Sequence, residues 1–494
     1  MERWVIVTLI TASYLALSLV IGWVSGRKAS NTVTGYVAGD RDFGLLVMYF
    51  VMGAMMFSAF AFLGTPGWAY SRGGAAFYVF SYGLLGFAPW YFLGPWVARV
   101  GRKFGYVTQA ELLSDRFKSD LLSWLIAVVS IVAFIPYIAL QMKGAGIVFN
   151  AVTDGKVPIW IGAAAAYTVV MLYVLKSGVL GVGWTNTFQG IFMLIIAWTL
   201  GIWLPNHLYG GVGPMFERLA ELRPELLTAP GLDTHGAPWG WGAYSSAIIV
   251  SAIGVTMWPH LFMKAFAAKS DNTIKLTMVF YPTFLLFLLP LYFIAFAGVL
   301  FDPKPVSADF ILPHMILNTN VAPVVVGLFC AGALAASMST GDAMLHAAAS
   351  IYVQDFHRKL FSRQLSDHSR RTLIRVVAVI VGVVAYFIAV TTQMSLVALL
   401  LAAYGAIVQL APITLAAFFW KRATAAGAVA GLVLGSITTL LLYLNPELSP
   451  FGLHEGIVGL TVNCSALVVF SLLTRPTNTD HVEDFVTTSR IPDA

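Results

Sequence analysis

The sequence predicts an all-α polytopic membrane protein of about thirteen transmembrane helices. Three observations lead there. Hydrophobic residues fill 59% of the 494 positions and charged residues 11%, with a mean hydropathy of +0.80. That leaves too little charge to cover a soluble domain of this length. Apolar runs of about 20 residues, the length a helix needs to cross roughly 30 Å of hydrocarbon, recur from end to end. Finally, 22 of the 29 Lys and Arg residues lie at or beyond the ends of odd-numbered runs, six lie on the opposite side, and one, Lys143, lies well inside a run and belongs to neither. This bias predicts an outer N-terminus and a cytoplasmic C-terminus. It also accounts for the net charge of +6 without a nucleic-acid partner.

The first run, 4–25, lacks a small-x-small cleavage site and ends in "GRK", so it reads as a retained span rather than a signal peptide. The second, 44–70, contains "FLGTPGWAY" (62–70). Proline removes a backbone donor there, and lipid tolerates such a break only where the backbone is buried in protein or lines a cavity. The third run covers 75–98 and the fourth 121–150. Lys143 lies in the fourth, and its ammonium must either snorkel to an interface or find a carboxylate, Asp342 or an acidic substrate. Runs 158–175 and 186–205 precede a Pro- and Gly-rich stretch, 206–242, which reads as an external loop with one short helix around "GPMFERLAELR". The seventh run, 243–266, is interrupted in turn at "IGVTMWPHLF" (253–262). Two breaks five spans apart predict paired five-span repeats, about 44–205 and 243–419, and point to a transporter binding site. Runs 276–300, 321–355, 373–391, 395–419, 424–444 and 455–474 complete a single transmembrane domain, 1–475, followed by a polar tail, 476–494, expected to be disordered. Cys330 and Cys464 fall inside spans and read as packing residues.

The ninth run is the most informative. "AASMSTGDAMLHAAAS" (335–350) sets Ser339, Asp342, His346 and Ser350 on one helix face. A carboxylate at mid-membrane costs about 2.5–3.5 kcal/mol on insertion scales, so this face must turn to the bundle interior or to water. Small residues around it allow close helix approach.

That segment, extended to "AASMSTGDAMLHAAASIYVQDF", resembles the ninth-span signature of the sodium:solute symporter family, with Ser339-Thr340 as its hydroxyl pair and Asp355 as its later acid. The resemblance extends over nearly the whole chain. "GAMMFSAFAFLGTPGWAY" matches the broken second span, "GYVTQAELLSDRF" the loop after the third, "TNTFQG" the sixth span and "WPH" the seventh. The pantothenate and monocarboxylate branches look nearest. The resemblance implies a five-plus-five inverted-repeat, LeuT-like core in the cell membrane. Sodium would be the coupling ion, driving import of a small organic solute, a carboxylate, by alternating access. It further implies sodium ligands from the hydroxyls of Ser339 and Thr340 and the carbonyls of Ala54, Phe57 and Ala336. Neutral hydroxyls and freed carbonyls suit a small hard cation. Met56, Phe57, Ser58 and Trp258 to His260 would line the substrate site, with Lys143 as a further candidate.

Two positions depart from the family pattern. Asn186 stands where the family commonly has Asp, and Asp342 where it has an uncharged hydroxyl residue. The carboxylate has thus moved from the sixth span to the ninth, and both residues become candidates for a second cation site. One sodium and a monoanion cancel electrically. A second cation would restore about 2.3 kcal/mol of driving force per charge per 100 mV. A proton-coupled carrier using Asp342, His260 and His346 is the nearest alternative, and a solute-sensing receptor of the same fold another, although the tail is short for a signalling domain. An intramembrane enzyme built on His346 and Asp342 lacks a nucleophile, metal-ligand spacing or cofactor motif, so no catalytic residue is expected. Nothing in the sequence calls for an obligate protein partner.

Overall fold

The computed structural model describes residues 3–28, 32–153, 155–357, 365–476 and 479–491. Arg358, Lys359 and Arg363, counted above with the inner loops, lie outside these residues. The chain is 84% helical and no β-strand forms among the described residues, so the all-α class holds. In chain order the helices begin with α1 (Arg3–Ser25), α2 (Val33–Ala38), α3 (Leu45–Met56), α4 (Thr65–Arg72), α5 (Tyr78–Phe87), α6 (Trp90–Phe104) and α7 (Gln109–Phe117). Next come α8 (Asp120–Val152), α9 (Ile159–Tyr209), α10 (Val212–Leu222), α11 (Trp241–Val255), α12 (Pro259–Ala267), α13 (Asp271–Leu285), α14 (Leu288–Val299) and α15 (Ile311–Asn318). The series ends with α16 (Pro323–Ile351), α17 (Asp367–Thr391), α18 (Leu396–Ile407), α19 (Ala411–Phe419), α20 (Ala425–Leu444), α21 (Glu455–Leu473) and α22 (Thr479–Arg490). Hydroxyl side chains cap many of the starts: Thr108 accepts from the Glu111 amide, Ser119 from Leu122, Ser270 from Thr273 and Ser395 from Ala398.

Among the described residues ten helical segments are long and apolar enough to cross a membrane, eleven with one bent pair. The expectation of about thirteen divides the same chain more finely, for two reasons. The bent pair runs from Leu45 through Phe87, because short helical turns join the second run to the start of the third. The 51 residues of α9 hold both the fifth and sixth runs. At about 1.5 Å per residue it is more than twice as long as roughly 30 Å of hydrocarbon requires. Gly178 divides it with φ 56° and ψ −149°, and a Cβ there would lie 2.6 Å from the Tyr36 carbonyl.

Both expected interruptions occur, the first not where the proline pointed. The second span bends by 56° between α3 and the following helix, at Phe57–Ala59 rather than at Pro66. Pro66 sits in the first turn of α4, where a missing amide is harmless, after a π-helical turn over Phe60–Gly64. Thr65 Oγ1 donates to the Phe60 and Ala61 carbonyls at 3.1 and 2.9 Å and so occupies acceptors of that widened turn. The seventh span breaks at 256–258, between α11 and α12.

The core centres on α16, buried through nearly its whole length against α1, α3, α8, α9 and α17. Its small residues permit this. A Cβ on Gly341 would stand 2.1 Å from the Tyr167 hydroxyl, so only glycine lets α9 and α16 close here. One helix corrects an expectation: the polar tail is not disordered over 479–490, where α22 rests on α6, α7 and α19. Its buried residues, Val482, Phe485 and Ser489, follow helical spacing, and Phe485 stacks on Phe104 and packs at a tilt against Phe418. Lys103 and Lys421 reach Asp484 and Glu483 at 2.5 Å, and Arg490 lies 3.8 Å over Trp96. Low mean hydropathy concealed a narrow apolar stripe matched to a basic surface.

Candidate functional site

The end of α3 creates the first half of the site. A helix leaves its last four carbonyls without intrahelical donors. In α3, the Phe57 amide serves Gly53, while the Ala54 and Met55 carbonyls are met from another helix. Ser339 Oγ donates to Ala54 O at 2.9 Å and also approaches Ala336 O at 3.2 Å, and Thr340 Oγ1 donates to Met55 O at 2.9 Å. Ser339 and Thr340 are fully buried. Four of the five residues expected around a sodium ion are therefore gathered, with Met55 added. Phe57 is also at this break, where its amide donates to the Gly53 carbonyl and its ring lies 5.2 Å from that of Phe284 and 6.4 Å from that of Tyr281. Oxygen atoms from a broken helix and a hydroxyl pair, with no fixed charge, suit a small monovalent cation.

Asp342 and Asn186 lie beside this cluster. Tyr173 donates to Asp342 Oδ2 at 2.7 Å and Thr185 at 3.4 Å. Asn186 Nδ2 donates to the Ser339 carbonyl at 3.0 Å. The other oxygen of each, Asp342 Oδ1 and Asn186 Oδ1, is buried without a hydrogen-bond partner. An acceptor left so is destabilising by roughly 1–3 kcal/mol, a loss that a bound cation would relieve as well as a protein donor would. His346 does not pair with Asp342. Its Nε2 lies 3.0 Å from the Tyr36 carbonyl.

The substrate candidates divide. Met56 and Phe57 border a small apolar cavity completed by Phe60, Ala61, Tyr82 and Tyr281. Ser58 is fully buried at the break, its Oγ accepting from the Phe60 amide at 3.2 Å. Trp258 and His260 are buried with ring centroids 5.8 Å apart, against Tyr137 and Phe134. Lys143 is elsewhere. It pairs neither with Asp342 nor with the cluster, but donates to the Thr392 and Met394 carbonyls at 3.2 and 2.7 Å, binding α8 to the junction of α17 and α18. The end of α17 leaves carbonyls unsatisfied, and the long stem of Lys143 reaches them.

A family model described as "Sodium:solute symporter family" matches residues 36–435, most of the chain and every residue of the cluster. The chain belongs to the sodium:solute symporter family. Its coupling ion is sodium, it is a transporter rather than an enzyme, and it is a multi-pass membrane protein. The high-affinity proline transporter PutP of Bacillus subtilis (strain 168) is 28% identical, the alignment covering 94% of this chain and 98% of that protein. The sodium/pantothenate symporter of Escherichia coli (strain K12) is 25% identical over 95% of this chain and 96% of its own. Among solved structures, a Na+-coupled sialic acid symporter in a substrate-bound outward-open state superposes with a TM-score of 0.80 at 19% identity, covering 96% of this chain and 99% of that one. At that identity the likeness speaks for the fold alone, and the fold is LeuT-like.

Within this symporter, several residues of the site escaped sequence reading. Tyr173 and Thr185 reach Asp342 from α9, and Met55 stands beside Ala54. Gln141 accepts from the Ala59 amide at the α3 break, 2.9 Å away. Lys264, counted with the basic loops, is buried in α12. Gln141 and Lys264 carried a signal, as an amide and a charge inside apolar runs.

Proposed function

We propose that this symporter imports a small carboxylate together with sodium, the ion held by Ala54, Ala336, Ser339 and Thr340 and a second cation by Asp342 and Asn186. The observation that carries the reading is the contact of the Ser339 hydroxyl with the carbonyl freed at Ala54, 2.9 Å across two helices that must stay in register for the site to exist. A cation there ties α3 to α16. Alternating access then follows when one bundle rocks about the joined helices while the solute sits at the breaks of the second and seventh spans. The carboxylate reading draws support from the sodium/pantothenate relative, and a proline relative of higher identity offers the neutral competitor. The N-terminus faces outward and the C-terminus the cytoplasm of the cell in this reading, as the Lys and Arg bias requires.

Proteoliposomes with sodium and proton gradients imposed separately test the coupling. Uptake should follow an inward sodium gradient and ignore a proton gradient at equal membrane potential. Uptake driven by protons alone would transfer the role of Asp342 to proton coupling. Asp342→Asn should weaken sodium dependence while leaving a folded carrier, and unchanged sodium stimulation in that variant would remove the second site.

A further inference from the structure

Around the break of the seventh span stands a group of buried polar side chains that sodium binding does not use. Trp258 Nε1, Tyr404 Oη and Gln141 Nε2 are each buried without a hydrogen bond of normal length and angle, although the polar atoms of Trp258 and Tyr404 face one another. They come from the start of α12, from α18 and from α8. Aromatic contacts link them: Trp258 lies 5.8 Å from Tyr404 and 4.9 Å from Tyr137, which shares a face of α8 with Gln141 one turn away. Gly144, on the same stretch of α8, abuts Ala59 so tightly that a Cβ would come within 2.4 Å of the alanine methyl.

The orientation of Gln141 is fixed by its neighbour. Its Oε1 accepts from the Ala59 amide, so its Nε2 must be the free atom, and that atom can only donate. Indole N–H is likewise a donor only, and a tyrosine hydroxyl can donate. Each buried donor left unpaired is destabilising by roughly 1–3 kcal/mol, a standing loss that a ligand acceptor would remove. A sugar would bring several hydroxyl donors for which this set offers only the Tyr404 oxygen, whereas a carboxylate has two acceptor oxygens and nothing to donate.

We propose that Gln141, Trp258 and Tyr404 form the recognition site for the carboxylate of the transported solute, with Gln141 aligned by the same helix break that frees the sodium ligands. This rests on the sodium-symport reading above and adds to it the group recognised and the residues that recognise it. The negative charge is balanced by the co-transported cation rather than by a fixed lysine, and the neutral donors set orientation.

Thermal unfolding of the purified full-length carrier tests this, in sodium chloride and in choline chloride of equal strength, with pyruvate, propionate and pantothenate set against propionamide and panthenol. In sodium, the wild-type protein should be stabilised by one or more of the acids and by neither uncharged analogue. Gln141→Glu keeps an oxygen for the Ala59 amide and replaces only the free donor. It should retain the shift caused by sodium alone and lose the shift caused by the acid. Trp258→Phe and Tyr404→Phe keep their rings and should each weaken the acid response about tenfold, the loss of roughly one hydrogen bond to a charged group. The proposal is overturned if Gln141→Glu retains the full acid response, if the uncharged analogues stabilise as well as the acids, or if sodium shifts the wild-type protein and no acid does. Stabilisation by acids that is indifferent to sodium would uphold this site and refute the sodium site instead.

Discussion

Ser339 and Thr340 illustrate what a single hydroxyl can do in a bundle of this kind. Each satisfies a carbonyl orphaned at the end of α3, so each serves helix packing as well as ion binding. Removing one leaves a buried carbonyl unpaired and a cation short of one oxygen. Ser339→Ala and Thr340→Val should therefore each raise the sodium concentration for half-maximal uptake by about tenfold or more, equivalent to roughly 1.4 kcal/mol. Sodium titration of uptake in proteoliposomes checks this, and an unchanged half-saturation would place the ion elsewhere. Lys143 leads to the opposite expectation. Its ammonium serves two carbonyls at 3.2 and 2.7 Å, and hydrogen bonds to charged groups contribute about 1.5–3 kcal/mol. Lys143→Met should lower thermal stability while uptake of acidic and of neutral solutes falls in equal proportion. A selective loss of acidic substrates would return Lys143 to the binding site. The sequence exposed Lys143 as anomalous because it is a charge in an apolar run. It could not reveal that the partners are backbone carbonyls 249 and 251 residues away, which carry no residue-type signature.

At the scale of elements, the break in the second span was legible in kind but displaced in position. Pro66 advertises an irregular helix, yet the bend falls at Phe57–Ala59, where Gln141 and the hydroxyl pair replace the lost intrahelical contacts. A local pattern marks strain, and tertiary partners decide where it is released. The tail helix α22 gives the converse case, an element hidden by polar composition and formed through docking. His481 Nε2 lies 2.9 Å from the Asp115 carbonyl and 3.4 Å from its carboxylate. Burial alone would raise the Asp115 pKa, but hydrogen bonds from Lys118 and Tyr106 outweigh it and hold the carboxyl below its ordinary value. A depressed carboxylate contributes stability above the unfolded value of about 3.9 and loses it as pH falls through the folded one. Hydrogen exchange over 479–490 should thus be insensitive to this group between neutrality and about pH 5, and should accelerate only in stronger acid. Phe485→Asp should release the helix at neutral pH. Equal protection in that variant would show that the ion pairs alone hold it.

Over the whole molecule, the distribution of Lys and Arg specifies two different ends. Arg99 and Arg102 meet Asp271 at 2.6 Å at the end where α22 docks, and the loop 206–242 lies with the few basic residues of the other class. The proposed orientation predicts that a cysteine introduced at Asp233, in that loop, reacts with a membrane-impermeant maleimide on intact cells, while one at Asp484 does so only after permeabilisation. The background is Cys464, the exposed member of the native pair, which must first be replaced. The reverse pattern would invert the carrier and make its assigned direction export.

Composition and run length alone determined that this chain crosses a membrane repeatedly as helices, because each span must satisfy its own backbone in lipid and so leaves a self-contained record of about 20 apolar residues. The family signature around Ser339 was equally local. Tertiary structure alone decided which oxygens meet, that Met55 joins Ala54, that Tyr173 and Thr185 reach Asp342, that Lys143 is a helix clasp and that the tail is a helix. The physical reason is that these contacts join residues far apart in the chain, and many run to backbone atoms, which every residue possesses and no sequence pattern distinguishes.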